Sequence, residues 1–350
     1  CIRDSAWLER AYRQGAWVDA GEDPWLEPLR TETGWSELLA LADSVGTHHG
    51  PGAIGFELDE FDLMPEGIEY DPVTDHFVLG SAKRKILLSD REGRSEEFVA
   101  PRQDGLLAVL GVRVDEDRRR LWAVSVGDPT MTELDSLEIG ASRLHCWSLE
   151  DGRMLGRWDA PEDSLAHGFN DLALLPDGSV LLTDPSAGAI YGAELDESGL
   201  REIVPPASLR GPNGIAINED GTVAWVAEYV YGVARVDLET GQQVAVAVPE
   251  QIALVGVDGL YLHGDELVAV QNYAGLDRVA AFTLNDDGTA VVSVRILEAR
   301  HPRMKDPTTG VIVDGELWYI ANSNLAGFDI RRMEPDPEVW GTVLILRAPL

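Results

Sequence analysis

One phrase recurs six times in this chain: an apolar strand, a turn bearing Asp or Gly, and a second apolar strand. It reads PEGIEYDPVTDHFVLGS at 65–81, VLGVRVDEDRRRLWAVSVG at 109–127 and FNDLALLPDGSVLLTD at 169–184. It returns as PNGIAINEDGTVAWVAEY at 212–229, VDGLYLHGDELVAVQNY at 257–273 and TTGVIVDGELWYIANSN at 308–324. The copies start near residues 66, 110, 170, 213, 258 and 309, and each is followed by one or two more strand-like segments. Short strands in units of this period are the texture of a propeller, whose blades are four-stranded sheets set around a channel. A β-sandwich would also give many short strands, but not the same phrase six times. The PDG, EDG and HGD turns supply the positive φ that tight hairpins need. The sequence therefore predicts an all-β, six-bladed β-propeller over residues 56–350.

The first 50 residues differ in texture. AWLERAYRQGAW (6–17) and WSELLALADSV (35–45) space their apolar residues as helices do. The pattern resembles the last, degenerate unit of a tetratricopeptide-type array. One such unit cannot bury its own apolar face, so it either docks on the propeller, continues an array, or is a simple helical cap. A protein partner could also be met through these helices. GTHHGPGAIG (46–55) forms the joint to the propeller.

Charge narrows the list of partners. With 61 acidic against 28 basic residues the formal net charge is −33, a field that repels nucleic acid and anionic lipid. The acids are spread along the chain, as expected of a solubility adaptation. No apolar run approaches the about 18 residues of a membrane-spanning helix. The two cysteines, Cys1 and Cys146, give neither a disulfide framework nor a metal-ligand spacing. A first residue of Cys1 is expected of a processed, trimmed or incomplete chain. It would fit a mature lipoprotein without establishing one, and the compartment stays open.

When the six phrases are aligned, their first column reads Glu66, Leu110, Asn170, Asn213, Asp258 and Thr309. The innermost strand of every blade runs beside the axis, so equivalent positions form a ring. Four ring members carry carboxylate or carboxamide oxygens, on strands otherwise as apolar as GIAI and GLYL. Polar groups gathered on a narrow axis are costly unless something satisfies them. Two carboxylates with neutral oxygens, and neither Cys nor His, describe a site for one hard cation. Calcium suits it better than zinc, although other divalent cations share this preference for oxygen. The expected metal ligands are thus Glu66, Asn170, Asn213 and Asp258. Asn and Asp at strand starts also serve local turns, the competing role for any one of them alone.

Glu66-Gly67 followed by Ile68-Glu69-Tyr70-Asp71-Pro72, with Asn170-Asp171, Asn213-Gly214 and Asp258-Gly259, resembles the senescence marker protein/gluconolactonase/LRE-like family. More distantly it resembles the paraoxonases and the strictosidine synthase-like propellers. The resemblance covers about residues 56–350. It implies that Glu66, Asn213 and Asp258 bind a catalytic metal, that Asn170 binds metal or substrate, and that Asp258 takes part in acid–base chemistry. It implies a metal-dependent hydrolase of lactones or related esters. Two departures matter: Gly168 stands where sugar-acid lactonases carry a substrate-gripping Arg, and Gly67 stands where paraoxonases carry an Asp for a second calcium. One ion is therefore expected.

Further candidates come from the ends of the second strands, which return to the face of the ring. They are Asp184 and Glu228 as bases, and Asn272 and Asn322 as substrate binders. Each of these types is more usually a turn or edge residue. His167, three residues before Asn170, could be a base at the channel mouth, with His301 a weaker candidate. Trp122, Trp225 and Trp318 fall on second strands and are expected in the blade core. No Ser/His/Asp elbow, phosphate-binding Gly loop or HExxH phrase is present. Two functions stay open: the hydrolase, acting on a small molecule, and a non-catalytic propeller that binds a ligand or partner around a structural calcium.

Overall fold

The structure is a computed structural model describing residues 2–128, 134–325, 327–329 and 334–350, without the side chains of residues 2–4. Cys1 lies outside the described residues. Six four-stranded antiparallel sheets make six blades, with a two-stranded ribbon (Phe328–Asp329 with Glu334–Pro335) inserted in the last. Blades 1 to 5 each use four consecutive strands. Their innermost strands are Pro65–Asp71, Ala108–Asp115, Leu172–Leu174, Pro212–Ile217 and Val257–His263.

Blade 6 is completed differently. Its inner strands Gly310–Val313, Glu316–Ile320 and Leu344–Pro349 are joined at the outer edge by Ala53–Glu57 from the other end of the propeller, in the order Ala53–Glu57, Leu344–Pro349, Glu316–Ile320, Gly310–Val313. Pairing the two ends of the domain closes the ring.

The blades hold together because their strands are apolar on both faces. Successive side chains point to opposite neighbours. In blade 4, Ala224 and Val226 pack toward blade 3, while Trp225 and Ala227 pack toward blade 5. Each of the six blade-to-blade seams carries one buried apolar cluster. Trp122, Trp225 and Trp318 are buried in these seams, as the sequence predicts.

Before the propeller come helix α1 (Ile2–Arg13), a 3-10 turn (Pro24–Leu29) and helix α2 (Trp35–Gly46). Asp23 caps the 3-10 turn by accepting from Trp25 N at 2.8 Å, with Pro24 at its first position. The helices share a small core of Tyr12, Ala20, Leu38 and Ala42, and they dock on blade 5. No helix among the described residues is long and apolar enough to cross a membrane.

Candidate cation site in the central channel

The ring column coincides with a recurring irregularity. The pairing register of the first two strands shifts between Pro65 and Gly67, Val109 and Gly111, Pro212 and Ile215, and Val257 and Leu260. Glu66, Leu110, Asn213 and Asp258 therefore sit at β-bulges, which break the ladder and re-aim a side chain. The glycine after each polar bulge has its own reason. A β-carbon on Gly67 would lie 2.7 Å from the Leu110 carbonyl oxygen, and one on Gly214 only 2.2 Å from that of Asp258. The missing side chain lets each inner strand press against the ring residue of the next blade. In blade 3, Asp171 takes the glycine's place, and its carboxylate accepts from Ile215 N of blade 4 at 3.1 Å.

Glu66, Asn170, Asn213, Asp258 and Asn272 line one cavity of about 280 Å³, with Leu110, Thr308, Thr309 and Leu325 around them. Asp171, Tyr229 and Asp306 complete its wall. Thr309 Oγ1 donates to the Glu66 carbonyl oxygen, tying blade 6 to blade 1 at the ring. Asn272 Nδ2 donates to Asp258 Oδ2 at 2.8 Å and to the Pro307 carbonyl at 2.9 Å, while Asn272 Oδ1 accepts from Tyr229 OH at 2.7 Å. The Asn272 amide is thereby fixed with its nitrogen toward Asp258.

The electrostatics are one-signed. Burial raises the Glu66 carboxyl well above its ordinary range, and Asp258, Asp306 and Asp128 push it further. Asp258 is pushed up to about 7, first by burial and then by Asp306 and Asp171, against the favourable hydrogen bonds of Asn272 and Asn213. Asp306 is also raised, mainly by burial. Among the described residues, the charged neighbours named as acting on these three are carboxylates. Asn213 Oδ1 is buried without a hydrogen-bond partner. A buried, unpaired carbonyl oxygen is uncommon and costs about 1–3 kcal/mol.

Among the described residues, no group of three or more His, Cys, Asp or Glu side chains could by itself hold a metal ion. The donor set here is mixed, two carboxylates with carboxamides, and such all-oxygen sets suit hard cations. The orphaned Asn213 oxygen, in one cavity with acids that have no countercharge among the described residues, fits that description.

The remaining sequence candidates lie elsewhere. His167 Nδ1 meets Asp184 Oδ2 at 2.6 Å and its Nε2 meets Asp163 Oδ1 at 3.2 Å, so the ring is held inside its own loop. Asp184 is fully buried and also accepts from Gly168 N and Ala187 N, both at 3.0 Å. Glu228 accepts from Arg210 N at 2.7 Å. Asn322 pairs with backbone at Leu344 and Thr342, bracing the last strand, and lines a neighbouring crevice. His301 packs edge-on against His48 at the joint, its centroid 5.3 Å away. Asp184 and Glu228 end their second strands and Asn322 lies just beyond one, while His167 and His301 stand in connections; hydrogen bonds already engage His167, Asp184 and Asn322. Asp306 and Tyr229 have no place in the sequence reading. Asp306 had one available signal, since it precedes Thr309 by the same three residues that separate His167 from Asn170.

No protein family model and no curated protein matches the sequence. Solved structures do resemble the chain. An aldose sugar dehydrogenase from Streptomyces coelicolor, in its PQQ-bound form, superposes with a TM-score of 0.57 at 14% identity, over 87% of this chain and 98% of that one. A gluconolactonase from Xanthomonas campestris gives 0.55 at 15% identity, over 82% and 86%. A catalytically inactive virginiamycin B lyase from Staphylococcus aureus, with quinupristin, gives 0.54 at 15%, over 77% and 81%. At such identities these similarities show the propeller fold, and the site must be argued from its own residues.

Proposed function

We propose that the chain is a calcium-dependent hydrolase of lactones or related esters, with one ion held in the channel by Glu66, Asn170, Asn213 and Asp258. The observation that carries this reading is the unpartnered Asn213 oxygen beside the channel carboxylates Glu66 and Asp258, which have no cation beside them among the described residues. The resemblance of the ring residues to the gluconolactonase-type family supports it. Calcium, when bound, polarises an ester carbonyl and stabilises the charge that develops on its oxygen.

The chain's own residues do the rest. Tyr229 orients Asn272, and Asn272 orients Asp258. Asp306 lines both the cavity and the adjoining crevice of about 330 Å³, and its raised affinity for protons suits a base that accepts one from the attacking water. Asp306 takes this role in place of His167 and Asp184, whose polar atoms are already committed, and of Glu228, which accepts from Arg210 N and does not line the cavity. Leu110 and Leu325 give the cavity an apolar side. Gly168 offers no side chain to grip a sugar acid, so the reading does not extend to sugar lactones.

A second reading has its own support. With His167, Asp184 and Glu228 away from the cavity, few acid–base groups remain, as in a propeller that binds a ligand or partner around a structural calcium. Turnover of a panel of lactones and aryl esters, with calcium and with chelator, separates the two. Calcium-dependent turnover lost in Asp258→Ala supports the hydrolase. Absent turnover with a calcium-dependent rise in melting temperature supports the second reading, since a ligand selective for the native state must stabilise it. Turnover indifferent to chelator and to Asp258→Ala overturns both.

A further inference from the structure

The N-terminal helices and the channel site share one loop. Trp17 N donates to the Gly275 carbonyl at 2.9 Å. The Arg300 guanidinium donates to the same carbonyl and lies 5.6 Å from the centre of the Trp17 ring. Gly275 belongs to the connection between the second and third strands of blade 5, Glu266–Gln271 and Arg278–Leu284. The first residue of that connection is Asn272, the group that holds Asp258 Oδ2.

A second route runs in parallel. Arg278 donates from Nη1 to the Gln14 carbonyl at 2.9 Å, from Nε to Gln271 Oε1 at 2.7 Å and from Nη2 to the Ala253 carbonyl at 3.0 Å. Gln271 Nε2 in turn donates to the Val255 carbonyl at 2.6 Å, three residues before Asp258. Both stretches that carry Asp258 and its orienting amide are therefore braced against residues 14–17.

The junction leaves no slack. Gly275 has φ of +76°, and a β-carbon there would lie 2.1 Å from the Trp17 carbonyl oxygen and 3.0 Å from its nitrogen. The helical segment is fitted against bare backbone at this point.

We infer that the N-terminal helical segment is a positioning element of the channel site, clamping the 272–277 loop so that Asn272 stays aimed at Asp258. This rests on the reading of Asp258 as a cation ligand. Groups that orient metal ligands from behind typically contribute about 10- to 100-fold in metal affinity. Neither Arg300 nor Gly275 lines the cavity, and Arg300 is the side chain that ties the Gly275 carbonyl to the Trp17 ring.

The test uses full-length Gly275→Ala and Arg300→Met, with calcium affinity read by calorimetry and amide exchange read by mass spectrometry on the metal-free protein. The expected result is a calcium dissociation constant raised about tenfold, with faster exchange in 253–258 and 271–277 and an unchanged far-ultraviolet spectrum. Unchanged affinity and unchanged exchange in Gly275→Ala overturn the inference. If Gly275→Ala fails to fold, Arg300→Met decides on the same two readings. If the wild-type protein binds no calcium, the cation reading falls on its own. Exchange then still judges the clamp: faster exchange in the variants upholds it, and wild-type exchange overturns it.

Discussion

The central channel carries two groups of acids, and they differ in the charges set beside them. At the ring, Glu66 and Asp258, with Asp306 beside them, are surrounded by other carboxylates and by amides. Three residues further along the same inner strands, the pattern changes: Glu66 gives way to Glu69, Leu110 to Arg113 and Asp258 to Tyr261. Arg113 meets Asp171 Oδ1 at 3.2 Å and approaches Glu69 Oε2 at 3.9 Å. Asp171 also accepts from Leu172 N at 2.8 Å and Ile215 N at 3.1 Å. The inner layer has a cation of its own, one guanidinium shared by two carboxylates, although burial still raises both acids. Among the described residues the ring layer offers oxygens without one, and the proposed cation site rests on that difference.

The sharpest way to break this comparison is Arg113→Met. It removes the single cation of the inner layer and leaves Glu69 and Asp171 uncompensated, which costs about 3–5 kcal/mol for a buried pair. Urea unfolding at neutral pH measures it, and a loss below about 1 kcal/mol would mean that Arg113 does not hold the inner acids. Asp258→Asn is the opposite case. It should leave the metal-free protein no less stable, because it removes a carboxylate that burial disfavours, while weakening calcium binding by about a hundredfold through the lost ligand charge. Calorimetric titration and a melting curve with chelator read both parts together.

Gly214→Ala acts between the layers. The added methyl meets the Asp258 carbonyl, so Asp258 must move or the strands must part, at about 1–3 kcal/mol for overpacking. Calcium affinity should fall in the same variant, and a melting curve with and without calcium shows whether the two losses go together.

The smallest effect concerns pH. Burial raises Glu69 from 4.5 to about 7 in the folded protein, against the pull of Arg113. Between those values the native state holds more protons than the unfolded one, so the Glu69 contribution to stability falls as pH rises from about 4.5 to about 7. Glu69→Gln should flatten that slope in the metal-free protein, and a series of unfolding midpoints across this range checks it.

The sequence reaches far into this protein because a propeller is periodic. The same strand–turn–strand phrase, repeated, names the fold and puts Glu66, Asn170, Asn213 and Asp258 in one column before any coordinates exist. Equivalent positions on innermost strands must converge on the axis, and the structure gathers these four around one cavity. Asn272 also follows from its place at a returning strand end.

What escapes the sequence is whatever depends on the non-periodic segments. The closing of blade 6 by Ala53–Glu57 joins residues nearly 300 positions apart, and no local pattern announces it. Asp306 enters the cavity from the connection that precedes the innermost strand of blade 6. His167, Asp184, Glu228 and Asn322 occupy equally suggestive places, yet nearby backbone and side-chain groups take up their hydrogen-bonding atoms. Repetition fixes where the backbone goes, and so the sequence alone determines the ring. The final direction of a loop side chain is settled by competition among neighbours that meet only after folding, and there the tertiary structure decides.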